Sequence, residues 1–216
     1  MARTRILLTG FEPFGGATVN PSWEAAALAA AEPPPGVRAE AVLLPCVFGD
    51  SIAALRAAVL RTSPDVVLCV GQAGGRPDVT MERIAVNLDD ASIPDNSGRR
   101  PVDEPVVADG PAAYFSGLPI KACVAAVRAA GLPASVSQTA GTFVCNHLFY
   151  GLMHLIAAEL PSLRGGFVHI PFAPAQVTDQ SKPSLPVSCS AEALRVIMTT
   201  AAAVTTDARV SEGAVC

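Results

Sequence analysis

Three residues of types that perform acyl transfer stand in well-defined segments: Cys145 in SQTAGTFVCNHLFY, His169 in FVHIPF and Glu82 in VTMERIAVNL. Residues 134–138 read as a short extended segment. The helical pattern that follows puts Leu148, Leu152, Leu155 and Ile156 on one face, so Cys145 is predicted near a helix N-terminus. Unpaired N–H groups and the positive end of the macrodipole would favour its thiolate there. Asn146 or Thr142 would cap the turn, and Gly141 would allow a backbone closed to other residues. The same N–H groups suit an oxyanion. His169, near a strand end, is better placed as a base than His147, which follows Cys145 by two residues and points elsewhere, or than the more distant His154. A thiol hydrolase results: Cys145 attacks, His169 moves the proton, and Glu82 holds the imidazole tautomer. The competing readings are plain. A cysteine among apolar neighbours is usually a small buried hydrophobe, and an adjacent Glu82 and Arg83 are usually solvated or paired. Pattern alone also leaves open a phosphorylase-like enzyme acting on nucleosides, which would use the glycine-rich loops, and a non-catalytic binding or redox-sensing protein.

The elements that must position these residues alternate. Residues 6–9, 39–44 and 66–70 read as strands and 23–31 and 48–61 as helices, the first helix opened by Asn20-Pro21-Ser22 and the second turning Ile52, Leu55, Val59 and Leu60 inward. Phe11 and Phe14 fall in the loop GFEPFGG, as pocket wall or as packing. GQAGGR, 71–76, lacks either nucleotide-loop pattern, and its glycines read as tight backbone packing near a site. Residues 79–88 read as one strand, and 89–111, rich in Pro, Gly and charge, as a long surface excursion of the kind that forms lids or binding loops. A helix at 119–130, a strand at 167–172 stopped by Pro171, and a last helix from 190 with Ser190 as its N-cap complete the pattern; 207–216 reads as a frayed tail. The fold class is α/β.

The 216 residues suit one domain, without a linker or repeat. Half are hydrophobic and the mean hydropathy is +0.41, yet no continuous apolar stretch approaches the ~20 residues that span a bilayer, and the apolar run after Arg5 is too short for a signal peptide. A soluble cytoplasmic protein is expected. The six cysteines include no C-x-x-C pair, which argues against zinc and against a disulfide framework. A net charge of −4 without a basic cluster argues against nucleic acid.

GFEPFGGATVNPSWEA (10–25), GQAGGRPDVTMERIAVNL (71–88), IPDNSG (93–98), SQTAGTFVCNHLFYGLMH (137–154) and GFVHIPF (166–172) resemble, in order, the pyrrolidone-carboxyl peptidases, or pyroglutamyl peptidase I, a cysteine peptidase family. The resemblance implies an α/β/α sandwich with a twisted, mostly parallel mixed sheet, no cofactor or metal, and commonly a homotetramer. It implies removal of N-terminal pyroglutamate from peptides by Cys145, His169 and Glu82. By motif position it places Phe11, Phe14, Ile93, Phe143 and Val144 around the substrate, with Asn20 and Gln72 bracing them. A flat neutral lactam suits aromatic walls with backbone donors and acceptors, and proline, unable to satisfy them, would be rejected. Two positions depart from the pattern: Cys46, which would be a second oxidisable thiol if it lined the pocket, and Ser92, where a longer basic side chain would be no surprise.

Overall fold

An apolar run without alternation, such as 66–70, belongs in a strand covered on both faces, and in the computed structural model it lies at the centre of a sheet with every residue buried. The structure describes residues 3–177 and 182–213. Along these the chain forms β1 (Thr4–Phe11), α1 (Pro21–Ala31), β2 (Val37–Leu44), α2 (Asp50–Thr62), β3 (Val66–Gln72), β4 (Val79–Glu82), β5 (Ile84–Val86), β6 (Ala113–Phe115), α3 (Ile120–Ala129), β7 (Ala134–Ser137), α4 (Val144–Ala158), β8 (Arg164–Ile170) and α5 (Val187–Ala203). The main sheet has the order β2-β1-β3-β8-β4-β7. Its first four strands are mutually parallel, β4 runs antiparallel to β8, and β7 is parallel to β4. One core packs α1, α3 and α5 on one face; the other packs α2 and α4 on the opposite face. This is the expected α/β/α sandwich with a mostly parallel mixed sheet.

Register decides which side chains meet. Paired residues of neighbouring strands point to one face, and alternate residues share it. Val67, Cys69 and Phe167 therefore face α4, as do Gly71 and its register partner His169. Thr80 pairs with His169, so Glu82, two residues on, also faces α4. Asn20 caps α1, accepting from Ser22 N at 3.1 Å and donating to Glu12 O at 2.9 Å, which braces the loop carrying Phe14.

Several local expectations change. Phe11 ends β1 rather than sitting in the loop. The single strand expected at 79–88 is two: Glu82 points inward at the end of β4, the chain turns at Arg83, and β5 pairs instead with β6, which the sequence reading lacked. Leu60 faces solvent, 58% exposed. The last helix begins at Val187 after Pro186, and Ser190 is buried inside it rather than capping it. Residues 207–213 are docked, not frayed. Asp207 accepts from the N–H groups of Lys121 (3.0 Å) and Ala122 (3.0 Å), where orphan donors of α3 need a partner, and Glu212 pairs with Arg128 at 2.6 Å. Residues 214–216 lie outside the described residues.

Candidate active site

Cys145 is the second residue of α4, which starts after Phe143. Gly141, at φ +78°, makes the turn into it as expected. The expected side-chain cap is absent among the described residues: Thr142 Oγ1 donates to Asp90 O at 2.7 Å, and the Asn146 amide is engaged with Val86 and Leu88. The first bond of the turn runs from His147 N to Phe143 O, and among the described residues no side chain accepts from the N–H groups of 144–146.

The sulfur lies on β3. A methyl group added at Gly71 would stand 2.8 Å from Cys145 Sγ and 2.9 Å from the Phe167 ring, and Gly71 is the register partner of His169. His169, buried on β8, donates from Nδ1 to Glu82 Oε1 at 2.7 Å, which leaves Nε2 to act as a base. Glu82 is fully buried, and Arg76 Nη1 reaches the same oxygen at 2.5 Å. Burial pushes the Glu82 carboxyl up; the His169 hydrogen bond and charge and the Arg76 guanidinium outweigh it and hold the pKa below the ordinary value.

The thiol behaves otherwise than expected from its place on the helix. Burial, with the nearby Cys46 and Glu82 adding to it against Arg76, pushes the Cys145 thiol well above the ordinary thiol range. Cys145 nonetheless keeps partial exposure, as an attacking atom must. Cys46 is buried in the core, and burial drives its pKa to about 12, which removes the thiolate that oxidation would need.

A cavity of about 530 Å³ is lined by Phe14, Ile93, Gln72, Phe172, Gln176 and loop 15–19. Phe143 packs on Phe14 (ring centroids 6.0 Å) and on Phe48 (5.4 Å), connecting this cavity to the start of α4. Gln72 Oε1 accepts from Gln176 Nε2 at 2.9 Å. Phe11 is different in kind: it is buried against Phe167 at 6.5 Å and supports the ring beside Sγ. Val144 is fully buried and Ser92 exposed. Excursion 89–111 contributes Ile93 and is tied down at both sides of the site. His147 Nδ1 donates to Asp89 at 2.8 Å, Asp95 accepts from Phe48 N at 2.9 Å, and Asn96 Nδ2 donates to Pro13 O at 2.9 Å. The hollow of about 280 Å³ at the opposite edge of the sheet, lined by Arg5, Arg38 and Glu40, holds none of Cys145, His169 and Glu82. Sequence reasoning missed Arg76, which has no periodicity or motif of its own to mark it, and the closeness of Gly71 to the sulfur, of which the glycine-rich loop was the only signal.

A thiol and an imidazole brought to the same face of the sheet around Gly71, with the imidazole Nδ1 held by a buried carboxylate, are the parts of a cysteine hydrolase on an α/β/α scaffold. The likenesses to known proteins narrow the class. A family model described as pyroglutamyl peptidase matches residues 4–204. The pyrrolidone-carboxylate peptidase of Streptomyces coelicolor is 62% identical over 213 residues, covering 98% of this chain and 99% of that one. That of Bacillus licheniformis is 54% identical over 211 residues, covering 98% of each. Among solved structures, pyroglutamyl peptidase I from Bacillus amyloliquefaciens superposes with a TM-score of 0.95 at 49% identity, covering 97% of this chain and all (100%) of that one. Pyrrolidone carboxyl peptidase from Thermococcus litoralis gives 0.87 at 33% identity, covering 92% and 93%. The chain belongs to the pyroglutamyl peptidase family, and the phosphorylase and binding-protein readings have no support. Among the described residues no helix is long and apolar enough to cross a membrane.

Proposed function

We propose that this protein hydrolyses the amide bond after an N-terminal pyroglutamyl residue of peptides, with Cys145 as nucleophile, His169 as general base and acid, and Glu82 orienting the imidazole. The observation that carries the reading is the alignment of His169, hydrogen-bonded to Glu82, beside the glycine that backs the Cys145 sulfur. His169 Nε2 takes the thiol proton as Sγ bonds to the pyroglutamyl carbonyl carbon. The oxyanion is received by the N–H groups that open α4. His169 then gives its proton to the leaving amine, the thioester forms, and a water deprotonated by His169 cleaves it, releasing pyroglutamate and restoring the thiol. Phe14, Phe143 and Ile93 provide apolar walls for the lactam; Gln72 and Asn20 steady the loops that bear them.

The same reading has the enzyme act in the cytoplasm as a homotetramer. Five free cysteines among the described residues support a reducing compartment, and light scattering on the purified protein tests the tetramer. The function is tested by hydrolysis of a pyroglutamyl-arylamide, with a prolyl-arylamide as control, by wild type and by Cys145→Ser. The wild type should turn over the lactam alone, and the variant should lose at least about 10³-fold in kcat/KM. Full activity of Cys145→Ser would overturn the assignment.

A further inference from the structure

Arg76 leaves the glycine-rich loop between β3 and β4 and turns inward, its side chain only 28% exposed. Its donors serve three acceptors: Nη1 reaches Glu82 Oε1 and Thr80 Oγ1 (2.6 Å), and Nη2 reaches the Thr139 carbonyl at 2.9 Å. Each acceptor matters to the site. Thr80 is the register partner of His169. Glu82 Oε1 is the atom that also holds His169 Nδ1, while Glu82 Oε2 has no partner among the described residues. Ser137, beside Glu82 in register, gives its hydroxyl proton to Thr139 O at 3.0 Å. Thr139 Oγ1 in turn accepts from Gly141 N at 3.0 Å, in the loop that launches the Cys145 helix.

An ordinary surface ion pair would not converge this way. Glu82 is wholly buried, and a buried carboxylate stripped of its cation is left uncompensated. We propose that Arg76 is a positioning residue for the hydrolysis, fixing the Glu82 carboxylate against His169 and tying it to the loop that delivers Cys145. The inference rests on the triad reading above and extends it.

The charge argument gives the sign. The titratable groups around His169 are Glu82 on β4, Cys145 on α4, Cys69 on β3, Cys46 behind Cys145, and Arg76; Arg83, next to Glu82, points away to Gln138. With Arg76 present the Glu82 charge is shared between guanidinium and imidazole. Without it, the carboxylate is balanced only by a protonated His169, which is useless as a base until the pH rises.

The test compares the pH profiles of kcat and kcat/KM for wild type, Arg76→Gln, Arg76→Lys and Arg76→Ala on the pyroglutamyl-arylamide, with Cys145→Ser and Glu82→Gln alongside. Arg76→Gln should lose about 30- to 100-fold in kcat at neutral pH with KM within about three-fold, and its acid limb should move up by about one pH unit. Arg76→Lys, which keeps the charge but cannot bridge Glu82 and Thr139, should hold the wild-type limb and lose about ten-fold in kcat. Guanidinium ion, and not sodium chloride of the same concentration, should restore part of the activity of Arg76→Ala. A wild-type profile in Arg76→Gln, or a loss of activity with an unmoved limb and no guanidinium rescue, overturns the inference. If Gln or Ala unfolds the protein, the Arg76→Lys profile decides alone, and a displaced limb there counts against it. Inactive Cys145→Ser and Glu82→Gln with wild-type-like Arg76 variants would remove Arg76 and leave the triad standing; an active Cys145→Ser would remove the triad itself.

Discussion

The geometry of attack depends on where the Cys145 sulfur rests, and Gly71 sets that position. No Cβ fits there, because a methyl group would meet Sγ at 2.8 Å and Phe167 at 2.9 Å, distances at which one neighbour must shift. Gly71→Ala should therefore cost about 1–3 kcal/mol of unfolding free energy by overpacking and about 10²-fold in kcat by displacing the nucleophile. Urea denaturation and steady-state kinetics measure the two separately; a variant with wild-type kcat would show that the sulfur reacts from elsewhere. Close backbone packing in the 71–76 loop was legible from its glycines, and the three residues proposed as catalytic from their segments and family likeness. The desolvation of Cys145 was not. A helix N-terminus is a local feature that sequence displays, whereas desolvation depends on Phe167 and Cys46 arriving from distant parts of the chain.

The start of α4 is held by two buried polar side chains rather than by a cap. Asn146 accepts from Val86 N (3.0 Å) and donates to Val86 O (2.9 Å) and Leu88 O (3.0 Å), binding the helix to β5 and beyond. His147 Nε2 accepts from Gly49 N at 2.9 Å; since a backbone N–H can only donate, Nδ1 carries the ring proton and donates it to Asp89. Adjacent residues thus anchor the nucleophile's helix to the loop before α2, to β5 and to the 89–111 excursion. Asn146→Ala would leave one N–H and two carbonyls without this partner, and the expected loss is about 3 kcal/mol or more of unfolding free energy. Chemical denaturation checks it, and a loss below about 1 kcal/mol would mean that water replaces the amide. The order of strands and helices was readable because apolar runs and Pro/Gly stops recur along the chain. The break at Arg83 and strand β6 were not, since β5 and β6 are three residues each and pair only with one another. Asp207 resembled a tail residue because its partners, the N–H groups of α3, lie 85 and 86 positions earlier in the chain.

Across the whole molecule, the parallel strands carry their chemistry at one edge and seal the rest, and sealing includes thiols. Cys46, Cys69 and Cys123 are each buried, and burial pushes each pKa to about 12. In the unfolded chain a thiol ionises near about 8.5. The folded pKa is the higher one, so these groups contribute their full stability below the unfolded value and lose it as pH rises toward 12. Each unit above about 8.5 costs roughly 1.4 kcal/mol per thiol, so near pH 10 the three together remove roughly 6 kcal/mol. That is comparable with the total stability of an ordinary domain, about 5–15 kcal/mol. The protein should accordingly unfold in mild alkali, under reducing conditions, well before its arginine ion pairs lose their charge. Cys123→Ala is the informative variant, because Cys123 sits in α3 on the sheet face away from Cys145 and alanine suits a helix. It should start somewhat less stable than wild type at neutral pH and then lose about 4 rather than about 6 kcal/mol on going to pH 10, as read from urea denaturation at each pH. Parallel losses in the two proteins would mean that Cys123 gains no proton on folding, and that alkaline unfolding is driven by other groups.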